Sequence, residues 1–320
     1  MNDTNFFENS LPVGPMSEDW LGYKGLPAHI KDQWIKDGLC IIRNAYNEKQ
    51  IEKYNSTVKA VRDKVEDGRD RFGLGERIGQ LHQLHPELLE LSFNQEILHF
   101  LKWILNDDPI VLGSLNFDKG TQQASHVDAI FFYPEPSYSM CGCWVALEDI
   151  DTQAGPLFYI PGSHKWQFNY SDDLLKLQPN LKEKRDFARS SDCKQEERSL
   201  ICAELGNAWC KEFDKIEIAK STQRVTPILK AGDAVIWHSL LAHGGGNVLN
   251  EALSRKSVVF HYIGKRARLF TFEQFMLYSR TELNNQIHQK AKLNSFQGLE
   301  YMSYDYFVTY TNNVPTVHTL

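Results

Sequence analysis

A series of short apolar runs, separated by turn residues, is the feature of this sequence that most restricts its fold. The runs begin at Ile110 and continue to Ile160, then resume between Val225 and Ile263, with proline, glycine and aspartate between them. Short strands with turn signals at regular spacing are typical of a β-sandwich or barrel. The sequence therefore predicts a β-rich core in this part of the chain.

Helical patterns flank the β-rich part and interrupt it once. Before it, residues 47–65 carry apolar side chains three or four apart, as in an amphipathic helix. The interruption mixes charges of both signs, and is either a lid over the mouth of a site or a plain surface excursion. The predicted organisation is a single domain over 1–320, with an irregular arm (1–25), a helical N-terminal part (26–108), a core (109–264) with an insertion (165–222), and a C-terminal extension (265–320) that holds one helix (272–287) and an aromatic-rich tail.

Composition excludes several classes of protein. The net charge of −6 disfavours nucleic acid as a partner, because nucleic-acid binding needs a basic face. No run of apolar residues reaches the ~18 of a membrane helix, and no signal peptide is evident, so a cytoplasmic protein without membrane contact is expected. The six cysteines include no Cys-x-x-Cys pair, which indicates reduced, buried thiols in an intracellular protein.

A histidine and an aspartate two residues apart, His126 and Asp128, are the first indication of chemistry. Because side chains two apart on a β-strand point to the same face, this spacing places an imidazole beside a carboxylate. A second histidine would complete the triad of two histidines and one carboxylate that holds Fe(II) and leaves other positions open. A lone His-x-Asp is common by chance, so other residues of the sequence must show whether this pair binds a metal.

The third ligand has to come from elsewhere among the eleven histidines. His243 follows a predicted strand and precedes three glycines, where the backbone can approach other groups closely. His238, five residues earlier, and His261, on the next predicted strand, are the alternatives. We predict that His243 joins His126 and Asp128, because a jelly roll can bring such distant strands side by side.

Arg255 and Ser257 form a further pair two residues apart on a predicted strand, so they share a face. A guanidinium beside a hydroxyl suits a carboxylate, which accepts paired hydrogen bonds. An iron site with open positions needs an electron source to activate dioxygen (O2), and a 2-oxo acid that chelates the iron supplies it. The pair therefore predicts an anchor for the far carboxylate of such an acid, although in isolation it would indicate only a surface arginine.

Together these motifs resemble the phytanoyl-CoA dioxygenase family of Fe(II)/2-oxoglutarate-dependent oxygenases. The similarity covers roughly residues 39–263. It rests on the order and spacing of the motifs above and on four further stretches, which are WVALED at 144–149, GPL at 155–157, IPGSH at 160–164 and AGD at 231–233.

The resemblance implies a mainly β fold with flanking helices, built on a double-stranded β-helix (jelly roll, cupin-like). It also implies that the histidine–aspartate pair and the distal histidine hold Fe(II), and that the arginine anchors 2-oxoglutarate beside a tryptophan indole. A structural role is expected for His164, which belongs to a loop motif of the family. The site residues are, for metal and catalysis, His126, Asp128 and His243, and for 2-oxoglutarate, Arg255 and Trp144, with Ser257 and Asn116 as weaker candidates.

The reaction implied by the resemblance is oxidation of an unactivated C–H bond, with 2-oxoglutarate and O2 converted to succinate and CO2 and with ascorbate as a reductant in vitro. Asp128 favours hydroxylation over halogenation, because related iron halogenases replace this carboxylate with a small residue to admit halide. Desaturation or ring formation by the same oxidant stays open. So do a Zn²⁺ hydrolase or isomerase on the same triad and a jelly-roll sensor without turnover.

The expected substrate is a small organic molecule, and we favour a specialised metabolite. Arg71, Arg77 and His82 lie in a glycine-containing segment and could meet an anionic group of it, although a solvated loop is the simpler explanation. Aromatic residues such as Phe131 and Phe132 suggest an apolar wall, which core packing also explains.

Overall fold

A ten-stranded sheet runs through the centre of the protein, and its strands are paired antiparallel except at one contact between β12 and β3. The structure is a computed structural model that describes residues 28–63, 77–166, 171–288, 292–311 and 314–320. The predicted arm over 1–25 and Arg71 lie outside these residues. In chain order the elements are α1 (Ala28–Asp37), β1 (Leu39–Ile42), α2 (Glu48–Asp63), β2 (Arg77–Gly79), α3 (Gln95–Leu105), β3 (Pro109–Phe117), β4 (Phe132–Glu135), β5 (Met140–Ala146), β6 (Leu157–Tyr159), α4 (Ser171–Leu177), α5 (Lys182–Ala188), α6 (Gln195–Ala219), β7 (Ala234–His238), β8 (His243–Gly245), β9 (Ser257–Gly264), β10 (Arg268–Thr271), α7 (Phe272–Leu277), α8 (Arg280–Leu283), β11 (Lys292–Phe296), β12 (Leu299–Ser303), β13 (Tyr306–Thr311) and β14 (Val314–Thr319).

The large sheet has the order β1-β7-β5-β9-β3-β2-β13-β14, with β12 beside β3 and β11 beside β12. Two small sheets, β6/β8 and β4/β10, pack against one face of it. Leu157 and Tyr159 of β6 belong to the same apolar cluster as Trp144 of β5 and Trp237 of β7. This arrangement confirms the predicted mainly β fold with a jelly-roll core and flanking helices.

Helices cover the opposite face of the large sheet. Strand alternation separates the two faces, because successive side chains of a strand point in opposite directions. In β5, Cys141 and Cys143 belong to the same apolar cluster as Trp34 of α1 and Phe100 of α3, whereas Trp144 faces the small sheets. All six cysteines are free, and these two are fully buried as predicted.

The insertion is helical as expected, with α4, α5 and α6 packed around Trp209 and Phe213 in a second apolar cluster. The prediction of one helix over 272–287 is wrong. Ser279 accepts a hydrogen bond from the backbone of Glu282 and so begins a new helix, α8, after α7 has ended. The aromatic tail forms two hairpins, β11–β12 and β13–β14, and the second joins the large sheet through β2. Within the described residues no helix combines the length and apolar character needed to cross a bilayer.

Candidate active site

His126 and His243 are brought together by their backbones. The amide of each donates to the carbonyl of the other at 3.0 Å, which forms an isolated antiparallel bridge. The predicted strand through His126 is therefore wrong, because this bridge is its only ladder contact and Asp128 opens a short 3₁₀-helix. Val127 nevertheless stays extended (φ −118°, ψ 139°), so the imidazole and carboxylate still share a face.

The three side chains converge on one point. One nitrogen from each histidine and one oxygen from Asp128 all lie within 4.8 Å of one another. Oδ1 of Asp128 is 3.8 Å from Nε2 of His126 and 3.6 Å from Nε2 of His243. The described residues contain no other group of three or more metal-binding side chains this close together.

Backbone carbonyls fix the orientation of both imidazoles. Nδ1 of His126 lies 2.9 Å from the carbonyl oxygen of Ala124, and Nδ1 of His243 lies 2.9 Å from that of Leu241. Because a carbonyl only accepts, each Nδ1 carries a proton, so Nε2 is the ring nitrogen that can offer a lone pair to a metal. The Nε2 lone pair of His126 accepts from the amide of Gln123 at 3.2 Å. Both rings are thus in the tautomer that a metal ligand needs.

The second oxygen of the Asp128 carboxylate, Oδ2, has its own partners. It accepts a 2.7 Å hydrogen bond from Nε1 of Trp237, and Nε2 of His261 lies 3.4 Å away. Burial raises the pKa of Asp128, but His243, His261 and His126 together lower it well below the usual range. Asp128 is therefore ionised, and one oxygen faces the histidines while the other is held in place.

Sequence reasoning missed the roles of Trp237 and His261. The available signal was strand alternation, since Trp237 and His238 are neighbours on β7 and must face opposite sides of the sheet. His238 points to the helix side, where its Nδ1 accepts from the amide of Leu240 and its ring lies 5.5 Å from that of His164. Neither His238 nor His164 joins the cluster.

The cluster lies in the wall of a cavity of about 680 Å³ between the large sheet and the small sheets. Burial, followed by the neighbouring His243, lowers the pKa of His126 to about 4, so this imidazole is neutral at physiological pH. Aromatic rings form much of the wall, among them Phe131, Phe132, Trp144 and Trp237. None of the lining residues comes from the described part of the insertion, so the lid prediction gains no support. The hairpin β13–β14 contributes to the wall instead.

Arg255 also lines this cavity, and it is only 3% exposed. Its guanidinium carbon lies 5.0 Å from the ring centre of Phe117 and 6.0 Å from that of Trp144. One Nη donates a long hydrogen bond of 3.4 Å to the carbonyl of Lys119, and Nε has no partner. Burial, followed by the charge of Arg77, lowers the pKa of Arg255 to about 10, so it stays protonated at neutral pH. Among the described residues it has no carboxylate partner.

The two weaker candidates for 2-oxoglutarate binding, Asn116 and Ser257, are not among the residues that line the cavity. Asn116 is between Leu115 and Phe117, which line the cavity, so its own side chain points to the other face of β3. There its oxygen accepts a hydrogen bond from Tyr54 of α2 at 2.7 Å. This geometry argues against the predicted cosubstrate contact of Asn116. Ser257 is fully buried, and its hydroxyl donates to the carbonyl of Arg255 at 3.5 Å without lining the cavity.

The glycine-containing segment with Arg77 and His82 was expected to be a solvated loop, but its described residues are largely buried. Arg77 begins β2, lines the cavity and is 8% exposed. His82 is fully buried, with Nδ1 2.6 Å from the hydroxyl of Ser114, and it does not line the cavity.

Comparison with known proteins identifies the family. The sequence profile of the phytanoyl-CoA dioxygenase (PhyH) family matches residues 34–257, which is more than half of the chain. The chain belongs to the phytanoyl-CoA dioxygenase family. A Caenorhabditis elegans homolog of phytanoyl-CoA dioxygenase domain-containing protein 1 is 28% identical over 141 residues, which are 43% of this chain and 46% of that protein. The matched stretch thus spans about half the length of this relative.

Solved structures of low sequence identity share the fold. The carbocyclase SnoK from nogalamycin biosynthesis, described as a non-heme alpha ketoglutarate dependent enzyme, superposes with a TM-score of 0.54 at 19% identity, over 83% of this chain and 92% of that chain. EctD from S. alaskensis with 2-oxoglutarate and 5-hydroxyectoine superposes with a TM-score of 0.52 at 15% identity, over 81% of this chain and 86% of that chain. These similarities agree with the jelly-roll core.

Proposed function

We propose that this protein is an Fe(II)- and 2-oxoglutarate-dependent dioxygenase. It hydroxylates an unactivated C–H bond of a small organic substrate, a specialised metabolite, and releases succinate and CO2. The observation that carries the proposal is the convergence of His126, Asp128 and His243 in the wall of a cavity that also holds the buried Arg255.

The donor set fits Fe(II). Two imidazole nitrogens and one carboxylate oxygen form the triad typical of non-haem Fe(II) oxygenases, which leaves positions open for 2-oxoglutarate and O2. The carbonyls of Ala124 and Leu241 hold both Nε2 lone pairs toward the cluster. Bound iron would supply O2 activation coupled to decarboxylation of 2-oxoglutarate.

Arg255 fits the far carboxylate of 2-oxoglutarate. A buried guanidinium without a carboxylate partner is costly unless a ligand neutralises it. Its apolar neighbours Phe117 and Trp144 keep water from competing for the charge-assisted hydrogen bonds that a carboxylate would make. Trp144 therefore flanks the cosubstrate in this proposal, and the two anchors, the cluster and Arg255, together orient it.

Turnover of 2-oxoglutarate is the direct test. Purified protein is incubated with Fe(II), 2-oxoglutarate, ascorbate and O2, and succinate is measured without and with candidate substrates. We expect a slow signal without substrate, its loss in Asp128→Ala and His126→Ala, and its retention in His29→Ala, which changes an exposed histidine of α1. An Asp128→Ala enzyme that keeps full activity would remove the triad from the proposal.

The rival functions give different results in the same experiment. A folded, iron-loaded protein that stays silent with every substrate would indicate a sensor. Conversion of a substrate with Zn²⁺ but not with Fe(II), without formation of succinate, would indicate a hydrolase or isomerase. The name of SnoK, a carbocyclase, is the observation that keeps ring formation as a second candidate. A product with one added oxygen, detected by mass spectrometry, supports hydroxylation, whereas loss of two hydrogens supports cyclisation or desaturation.

A further inference from the structure

A second buried guanidinium, that of Arg77, lies in the wall of the same cavity. Arg77 is 8% exposed, one Nη donates to Oε1 of Gln123 at 3.2 Å, and the buried Nε has no hydrogen-bond partner. In the part of the chain that the structure describes, no carboxylate forms an ion pair with it. Since burial of an unpaired charge is costly, this site suits an anion that arrives as a ligand.

The position of Arg77 is fixed by the sheet. β2 lies between β3 and β13, so its backbone is paired on both sides. Tyr310 is the cross-strand partner of Arg77 on β13, and its ring centre lies 3.8 Å from the guanidinium carbon. This stacking holds the guanidinium in place, and it comes from the C-terminal hairpin, beyond the 34–257 range that matches the family.

Charge balance in the loaded cavity leaves Arg77 without a counter-charge. The two positive charges of Fe(II) cancel the two negative charges of 2-oxoglutarate. The negative charge of Asp128 offsets the positive charge of one guanidinium group, either Arg77 or Arg255. Of the cavity-lining residues that the structure describes, Asp128 is the only acidic one, and none is a lysine. Among the described residues of the cavity wall one positive charge therefore remains, and an anionic ligand would neutralise it.

Arg77 lies close to the cluster of His126, Asp128 and His243, with only the side chain of Gln123 between them. Gln123 lies beside both, because its Oε1 accepts from Arg77 and its Nε2 lies 3.2 Å from Nε2 of His126, the nitrogen that would bind iron. A group bound to Arg77 is thus one side chain away from the cluster. The neighbouring wall is mostly apolar, with Leu112, Phe132 and Val308 among its members.

From these observations we infer that Arg77 binds an anionic group of the organic substrate. The substrate class is then an acid, with a carboxylate or similar group at Arg77 and an apolar body along the wall. This inference rests on the proposed function, because it assigns the substrate class of the same cavity.

The test compares acids with their neutral amides. Protein loaded with Ni²⁺ and the unreactive cosubstrate analogue N-oxalylglycine is titrated with linear carboxylates from acetate to decanoate and with the corresponding amides. Binding is followed by calorimetry and by the fluorescence of Trp144 and Trp237, which line the cavity. We expect at least one acid to bind about tenfold or more tightly than its amide, as one charge-assisted hydrogen bond provides.

Variants of Arg77 decide whether this residue is responsible. Arg77→Gln should remove the preference for the acid, whereas Arg266→Gln, which changes an exposed arginine paired with Asp107, should leave it intact. If the glutamine variant fails to fold, Arg77→Lys provides the second measurement, because it keeps the charge but not the forked geometry. We expect the lysine variant to bind the acid several-fold more weakly and the amide equally well.

Three results would overturn the inference. The first is that no carboxylate binds the wild-type protein more tightly than its amide. The second is that Arg77→Gln still binds the acid more tightly than the amide. The third is loss of N-oxalylglycine binding in Arg77→Gln but not in Arg255→Gln, which would make Arg77 the cosubstrate anchor. Failure of the proposed function itself looks different, because wild-type protein would then not bind N-oxalylglycine at all.

Discussion

The indole Nε1 of Trp237 donates a 2.7 Å hydrogen bond to Oδ2 of Asp128, whereas Oδ1 is the carboxylate oxygen that faces His126 and His243. Both groups are buried, so this bond does not compete with water. It leaves Oδ1 free for the cluster and prevents the carboxylate from rotating. Groups that orient metal ligands in this way contribute strongly to metal affinity.

Removal of this donor should weaken metal binding. Trp237→Phe keeps an aromatic ring but loses the N–H group, and we expect metal affinity to fall by about 10- to 100-fold. Calorimetry with Ni²⁺ measures the effect. The matched control is Trp34→Phe, which changes another buried indole whose N–H has no partner and which lies on the helix side of the sheet. Equal affinities in the two variants would show that the indole N–H does not position Asp128.

Replacement of Arg255 should weaken cosubstrate binding without affecting the metal. Because hydrogen bonds to a charged group contribute about 1.5–3 kcal/mol, Arg255→Gln should bind N-oxalylglycine roughly 10- to 100-fold more weakly. Titration of Ni²⁺-loaded protein measures this, and Ni²⁺ affinity itself serves as the internal control. Unchanged N-oxalylglycine affinity would place the anchor elsewhere.

The glycine that follows His243 should not tolerate a side chain. A Cβ on Gly244 would lie 2.6 Å from the carbonyl oxygen of Gln123 and 2.7 Å from a ring carbon of Phe158. Gly244→Ala must therefore displace β8, and we expect a loss of about 1–3 kcal/mol of stability together with weaker metal binding. Urea unfolding and Ni²⁺ titration measure the two effects. Gly79→Ala is the control, since its nearest neighbours would be 3.5 Å away, and similar losses in both variants would contradict the prediction.

Acid should destabilise the protein through His82. Burial lowers the pKa of His82 to about 3, whereas an unfolded histidine has a pKa near 6.5. Above pH ~6.5 both states are neutral; below it only the unfolded state gains the proton, so stability falls as pH decreases toward about 3, by up to ~1.4 kcal/mol per pH unit.

The variant His82→Asn isolates this contribution from those of other buried histidines. Its side-chain amide replaces Nδ1 beside Ser114 but does not titrate. We expect the free energy of unfolding of the variant to approach that of wild type as pH falls from 7 to 5, measured by urea denaturation. A difference that stays constant over this range would show that His82 is not protonated on unfolding.

The sequence alone predicted His126 and Asp128 from their two-residue spacing, and His243 from the strand before it and the three glycines after it. The two-residue spacing of His126 and Asp128 survives even though no regular strand forms there, since one extended residue, Val127, is enough to keep both side chains on one face. The fold class followed from the short apolar runs between turns. Both are properties of neighbouring residues, which a sequence displays directly.

The surroundings of the triad were decided by tertiary structure. Strand register places Trp237 and His261 beside Asp128 and turns His238 and Asn116 away, and a register shift of one residue would reverse these faces. Pairing of β2 with a hairpin more than two hundred residues later brings Tyr310 onto Arg77. Such contacts depend on which distant strands pair and on which face each presents. Local sequence therefore determined which residues are candidates for a metal site in this protein, while long-range pairing of strands determined what holds those residues and which charges share their cavity.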